Sequence, residues 1–106
     1  VHPQMGHSWV GLVIEELLRR FNSQGVPVVP YYYRTAAGAE VDLVLEGPFG
    51  LIAVEIKYSQ SVSGRDLRNL AEFVKAHKAR WGIVINNDEA ARQYDKELIG
   101  IPFAAL

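Results

Sequence analysis

Apolar residues recur at helical spacing in the first stretch of the chain. Wound at about 100° per residue, Val10, Val13, Ile14, Leu17, Leu18 and Phe21 make one face. Glu15 and Arg19 lie opposite, and Glu16 falls on the margin beside Trp9 and Arg20. Ser8 is placed to cap a helix that runs to about Asn22, where Gly25 and Pro27 stop it. The pattern then changes to the strand period. Val28 to Thr35 reads as a first strand, with Pro30 pointing to an edge or a bulge. A turn at Ala36-Ala37-Gly38 leads into Glu40 to Leu45, and a second at Gly47-Pro48-Phe49-Gly50 leads into Leu51 to Lys57. Helical spacing returns after Ser61 to Ser63. Ser63 with Asp66 resembles a capping box, and Leu67, Leu70, Ala71 and Val74 form the buried side of a helix from Gly64 to about Lys78. Trp81 to Ile85 is a fourth strand. A strand, a helix of this length and a further strand predict a right-handed crossover, with the fourth strand parallel to the third. Asn86-Asn87-Asp88 reads as a turn into a short helix over Glu89 to Leu98, and Ile101 to Leu106 as a last short strand.

The central hairpin carries the chemistry. Side chains alternate faces along a strand, so Glu55 and Lys57 point the same way. With Glu46 opposite Leu51, counting back along the ladder sets Asp42 opposite Glu55. Two carboxylates at opposed positions repel and weaken a sheet. A divalent cation between them, with Lys57 near the substrate that the cation holds, would account for the arrangement. The first hairpin sets Arg34 opposite Glu40 and Tyr32 opposite Asp42, so all four share that face. Arg34 and Glu40 read first as a cross-strand ion pair.

Composition narrows the function little. The 106 residues suit one domain, with 49% hydrophobic and 22% charged residues, as in ordinary globular chains. The net charge of −1 makes no global electrostatic case for nucleic acid, so any such contact must come from a local patch. Arg65, Arg68 and Lys75 share one sector of the second helix, a sector that also reads as an ordinary solvated face. Tyr31 and Tyr33 share one strand face and read as core. Tyr32 lies on the other face and is the better substrate contact. The absence of cysteine excludes disulfides and thiolate metal sites and fits a cytoplasmic chain. No apolar run approaches the length of a membrane span. His2, His7 and His77 have no metal-ligand spacing.

Asp42, twelve intervening residues and then Glu55-Ile56-Lys57 resemble the core of the PD-(D/E)XK nuclease superfamily. The likeness extends through Gly6 to Leu18, Tyr31-Tyr32-Tyr33-Arg34-Thr35, Gly38 and Glu40-Val41-Asp42 to the C-terminal domain of bacterial and archaeal AAA-type ATPases. It implies a restriction-endonuclease-like α-β-β-β-α-β sandwich, an α/β fold with a mixed sheet flanked by helices. It also implies Mg²⁺ or Mn²⁺ held by Asp42, Glu55 and the Ile56 carbonyl, with Asp42, Glu55 and Lys57 catalysing hydrolysis of DNA. Tyr32, Arg34, Arg65 and Arg68 would then be substrate contacts. The chain opens at Val1 and has no phosphate-binding G-x-x-x-x-G-K-[ST] loop, so it is expected to be the C-terminal part of a longer ATPase.

The sequence departs from the related domains at one position. They carry a glutamate on the first helix where this chain has Val10. Glu16 and Glu40 remain as accessory carboxylates, but Glu16 lies six residues on, about 120° around the helix, and reads better as a partner of Arg20. The readings are therefore a metal-dependent nuclease domain, a degenerate nuclease-fold module that binds nucleic acid or a protein, and a purely structural or dimerisation domain.

Overall fold

A computed structural model describes residues 9–34, 40–58 and 62–106. The order of elements is α1 (Trp9–Ser23), β1 (Val29–Arg34), β2 (Glu40–Gly47), β3 (Gly50–Ile56), α2 (Gly64–His77), β4 (Trp81–Asn86), β5 (Arg92–Asp95) and β6 (Leu98–Pro102), with a closing 3-10 turn at Phe103–Ala105. The expected Ser8 cap and the Ala36-Ala37-Gly38 turn lie outside the described residues, as does Ser61.

The strands form one mixed six-stranded sheet in the order β1-β2-β3-β4-β6-β5. β1, β2 and β3 are antiparallel. β3, β4 and β6 are parallel, and β5 returns antiparallel to β6. Strand β3 is thus where the antiparallel half meets the parallel half. The crossover through α2 makes β4 parallel to β3, as the sequence of elements predicts. The expected short helix over Glu89 to Leu98 does not form. That segment instead gives β5, a turn at Lys96-Glu97 and the first residue of β6. A helix over so short a segment is marginal by itself, and pairing of Arg92, Gln93 and Asp95 with β6 supplies the hydrogen bonds instead.

Each face of the sheet is covered by one helix. Val13, Ile14 and Leu17 of α1 pack on Leu43, Leu45, Ile52, Val54, Ile56 and Ile85. On the other face, Leu70, Phe73 and Val74 of α2 pack on Val41, Val44, Ala53, Val84 and Leu98. The alternate residues of β3 divide between the two cores as period 2 requires. Helix α2 comes close to β4 because position 82 is glycine. A Cβ there would sit 2.6 Å from Leu98 Cδ2 and 3.0 Å from Leu70 Cγ. Helix α2 begins at Ser63, whose hydroxyl accepts the Asp66 N–H at 3.1 Å, and ends at Lys78, in the left-handed region with φ 53°.

The β2–β3 register is the expected one, with Glu46 opposite Leu51. The β1–β2 register agrees at Arg34 with Glu40 and then slips, since Tyr33 pairs with Val41 but Tyr31 with Val44. Strand β2 therefore carries one extra residue, and Asp42 and Leu43 together face Tyr32. This bulge puts Val41 and Val44 in the same core although they are three apart.

Candidate functional site

The bulge releases Asp42 from the β1 ladder and turns its carboxylate to the end of β3. Asp42 Oδ2 accepts the Ile56 N–H at 2.7 Å. The next amide, Lys57 N–H, points the other way and donates to Ile85 O at 2.9 Å. A side-chain carboxylate thus takes the place of a ladder carbonyl where β2 and β3 part, while β3 stays joined to β4. The Ile56 side chain itself is buried in the α1 core.

Glu55 lies on the α2 face of β3 and is only 7% exposed. Its carboxyl is within hydrogen-bonding reach of Asp42. Burial, then that hydrogen bond and the Asp42 charge, raise its pKa from the ordinary 4.5 to about 9, against the opposing pull of Lys57. At neutral pH the Glu55 carboxyl therefore keeps its proton. Lys57 Nζ is 3.8 Å from Glu55 Oε1 and 3.4 Å from Asp66 Oδ1. Burial draws the Lys57 pKa down, but Glu55, Asp66 and Asp42 outweigh it and the net shift is upward. The result is a protonated, buried Glu55 carboxyl beside Asp42, bordered by a lysine that stays charged.

That donor set fits a hard divalent cation. Mg²⁺ is commonly held by one or two carboxylates, with water and substrate phosphate completing its shell. Asp42 and Glu55 would supply those oxygens, with the cation displacing the Glu55 proton. Among the described residues no three Asp, Glu or His side chains gather into a metal-holding group. The pair among the described residues is therefore two carboxylates. Val10 is half-buried against the α1-side core.

Other expected site residues are dispersed. Glu16 is bound to Arg19 at 2.8 Å and Arg20 at 3.0 Å on α1, the helix-edge pairing with Arg20 that its position on the helix margin suggests. Arg65 and Arg68 are exposed on α2 and make no ion pair among the described residues. Arg34 and Glu40 are paired across the strands, but their side chains lie outside the described set. The tyrosines change places. Tyr33 packs on Phe73 at 4.7 Å between ring centroids, and its hydroxyl is 3.3 Å from His77 Nε2. Tyr31 donates to Glu46 at 3.1 Å. These contacts put Tyr31 and Tyr33 on the α2 face with Glu55, so alternation turns Tyr32 toward the α1 side. The bulge is the reason, since one added residue exchanges the faces. Tyr31 is 47% exposed and is not core.

Two residues near the site were not singled out by the sequence. Asp66 reads as a helix cap, yet its carboxylate holds Lys57. An acid in the first turn of the helix that follows Glu55-Ile56-Lys57 is the signal that could have found it. Asn86, 1% exposed, ends β4 one position beyond the Ile56–Ile85 pair, and its Oδ1 accepts the Asp88 N–H at 3.1 Å. It shapes the turn that borders the site.

Residues 5–106 match the model of a family described as a domain of unknown function, DUF4143, and the chain belongs to that family. No match was found among curated proteins or solved structures.

Proposed function

We propose that this chain is a nuclease-like domain that hydrolyses DNA phosphodiesters with Mg²⁺ or Mn²⁺, working beside an AAA-type ATPase domain of the same full-length protein. The observation that carries the reading is the placement of Asp42 and the buried Glu55 together at the end of β3, with Lys57 Nζ 3.8 Å from Glu55 Oε1 at their border. A bound divalent cation would supply charge relief at the phosphate and a more acidic water. Asp42 is held for that task by the Ile56 amide, which fixes its Oδ2 at 2.7 Å. Glu55 is buried enough that its negative charge develops only when positive charge arrives. Lys57 stays protonated and donates to the water or to the oxygen on which charge grows. Arg65 and Arg68, exposed along α2, are the cations available to flanking phosphates.

A second reading has its own support. With Val10 packed among apolar side chains and two carboxylates together among the described residues, metal binding should be weak. The domain would then be a degenerate nuclease fold that binds nucleic acid or a protein partner.

Calorimetric titration of Mn²⁺ into the wild-type domain, Asp42→Asn and Glu55→Gln separates the two. One-site binding in the wild type and its loss in both variants is expected, together with Mn²⁺-dependent cleavage of plasmid and single-stranded DNA that Lys57→Ala abolishes. Heats identical in all three proteins would remove the metal reading. Binding without cleavage would leave the second reading.

A further inference from the structure

Helix α2 enters the site through its first turn. In a complete capping box the acid at the third helical position reaches back to the cap residue's own N–H. Here only half of the box is made. Ser63 Oγ accepts the Asp66 N–H, but among the described residues the partner of the Asp66 carboxylate is Lys57 Nζ at 3.4 Å. The Asp66 backbone is thereby fixed by the cap, and its side chain is left to hold the lysine. Lys57 follows the last residue of β3, where its side chain has four rotatable bonds and, among the described residues, the more distant Glu55 oxygen at 3.8 Å as a second partner.

We propose that Asp66 is a positioning residue, which holds the Lys57 ammonium at the border of the Asp42–Glu55 pair. The catalytic part of this inference rests on the nuclease-like reading above. It makes the α2 N-terminal turn a component of the site, so that the helix supporting Lys57 comes after β3 and not before β1. Lys57 Nζ is within 4 Å of both Asp66 and Glu55, so the lysine links the helix turn to the carboxylate pair.

Two readouts on the same variants test this. The first needs no metal and no turnover: the ¹H–¹⁵N signal of the Lys57 side-chain ammonium, assigned with Lys57→Arg. A signal separate from the other lysines is expected in the wild type, lost in Asp66→Asn and regained in Asp66→Glu. An unchanged signal in Asp66→Asn overturns the proposal. The second is Mn²⁺-dependent cleavage. Asp66→Asn should lower kcat by about tenfold or more, as a displaced catalytic group does, while KM and Mn²⁺ affinity hold and Asp66→Glu recovers part of the loss. Undiminished kcat in Asp66→Asn overturns the proposal even if the signal is lost. If the wild type neither binds Mn²⁺ nor cleaves, the nuclease-like reading fails, and the ammonium signal alone decides whether Asp66 holds Lys57.

Discussion

The Asp42 carboxylate and the Ile56 N–H meet at 2.7 Å where β2 and β3 separate, so one side chain both closes the hairpin and faces Glu55. The two roles come apart in different substitutions. Asp42→Ala leaves the Ile56 amide without its acceptor and should destabilise the domain by about 1–3 kcal/mol. Asp42→Asn keeps an acceptor oxygen and should lose less than about 1 kcal/mol, yet lose Mn²⁺ binding as fully as the alanine variant. Urea unfolding and calorimetry on both proteins check this. Equal destabilisation by the two substitutions would deny the capping role.

The raised Glu55 pKa makes a pH prediction of defined sign. The folded state holds a proton that the unfolded chain releases above about pH 4.5. Between there and pH 9 the metal-free domain should lose stability as pH rises, and level off above. Glu55→Gln should flatten the slope. Mn²⁺ should stabilise the wild type more at pH 8 than at pH 6, because binding expels the proton. Thermal melts across this range, with and without metal, would show it. A wild type as flat as Glu55→Gln would sink the claim.

Gly82 sets how closely α2 lies on β4. A methyl group there would press on Leu98, Leu70 and Val74 at once. Gly82→Ala should therefore destabilise by about 1–3 kcal/mol, despite alanine's better backbone entropy. A melting temperature equal to that of the wild type would mean that the helix can lift at no cost.

Glu16 serves as a control. Its pairs with Arg19 and Arg20 are exposed and local to one helix, so Glu16→Ala should lose no more than about 0.5 kcal/mol. Mn²⁺ binding should stay at the wild-type value. A fall in metal affinity would return Glu16 to the site.

The helices and the first four strands were legible because their signals are periodic and local. Val13, Ile14 and Leu17 recur at helical spacing and do face one core. The β2–β3 register followed from a short turn, which leaves few ways to pair two strands. The segment after Asp88 was not legible. Its exposed, weakly patterned residues become a strand only because β6 lies alongside to pair with it.

The sequence by itself determined the order α-β-β-β-α-β, the parallel crossover through α2, and the approach of Asp42, Glu55 and Lys57 to one end of β3. Each follows from short-range spacing, from which a side chain's face can be counted. The tertiary structure alone decided the bulge at Asp42–Leu43, which moved Tyr31 and Tyr33 to the site face and turned Tyr32 away. It alone brought Asp66 to Lys57 and left Glu16 with its neighbouring arginines. A count along one strand cannot register an added residue that pairs with nothing, nor the fold of a connection that brings a helix end back over the strand it left. Those depend on where the cores on both faces of the sheet come to rest.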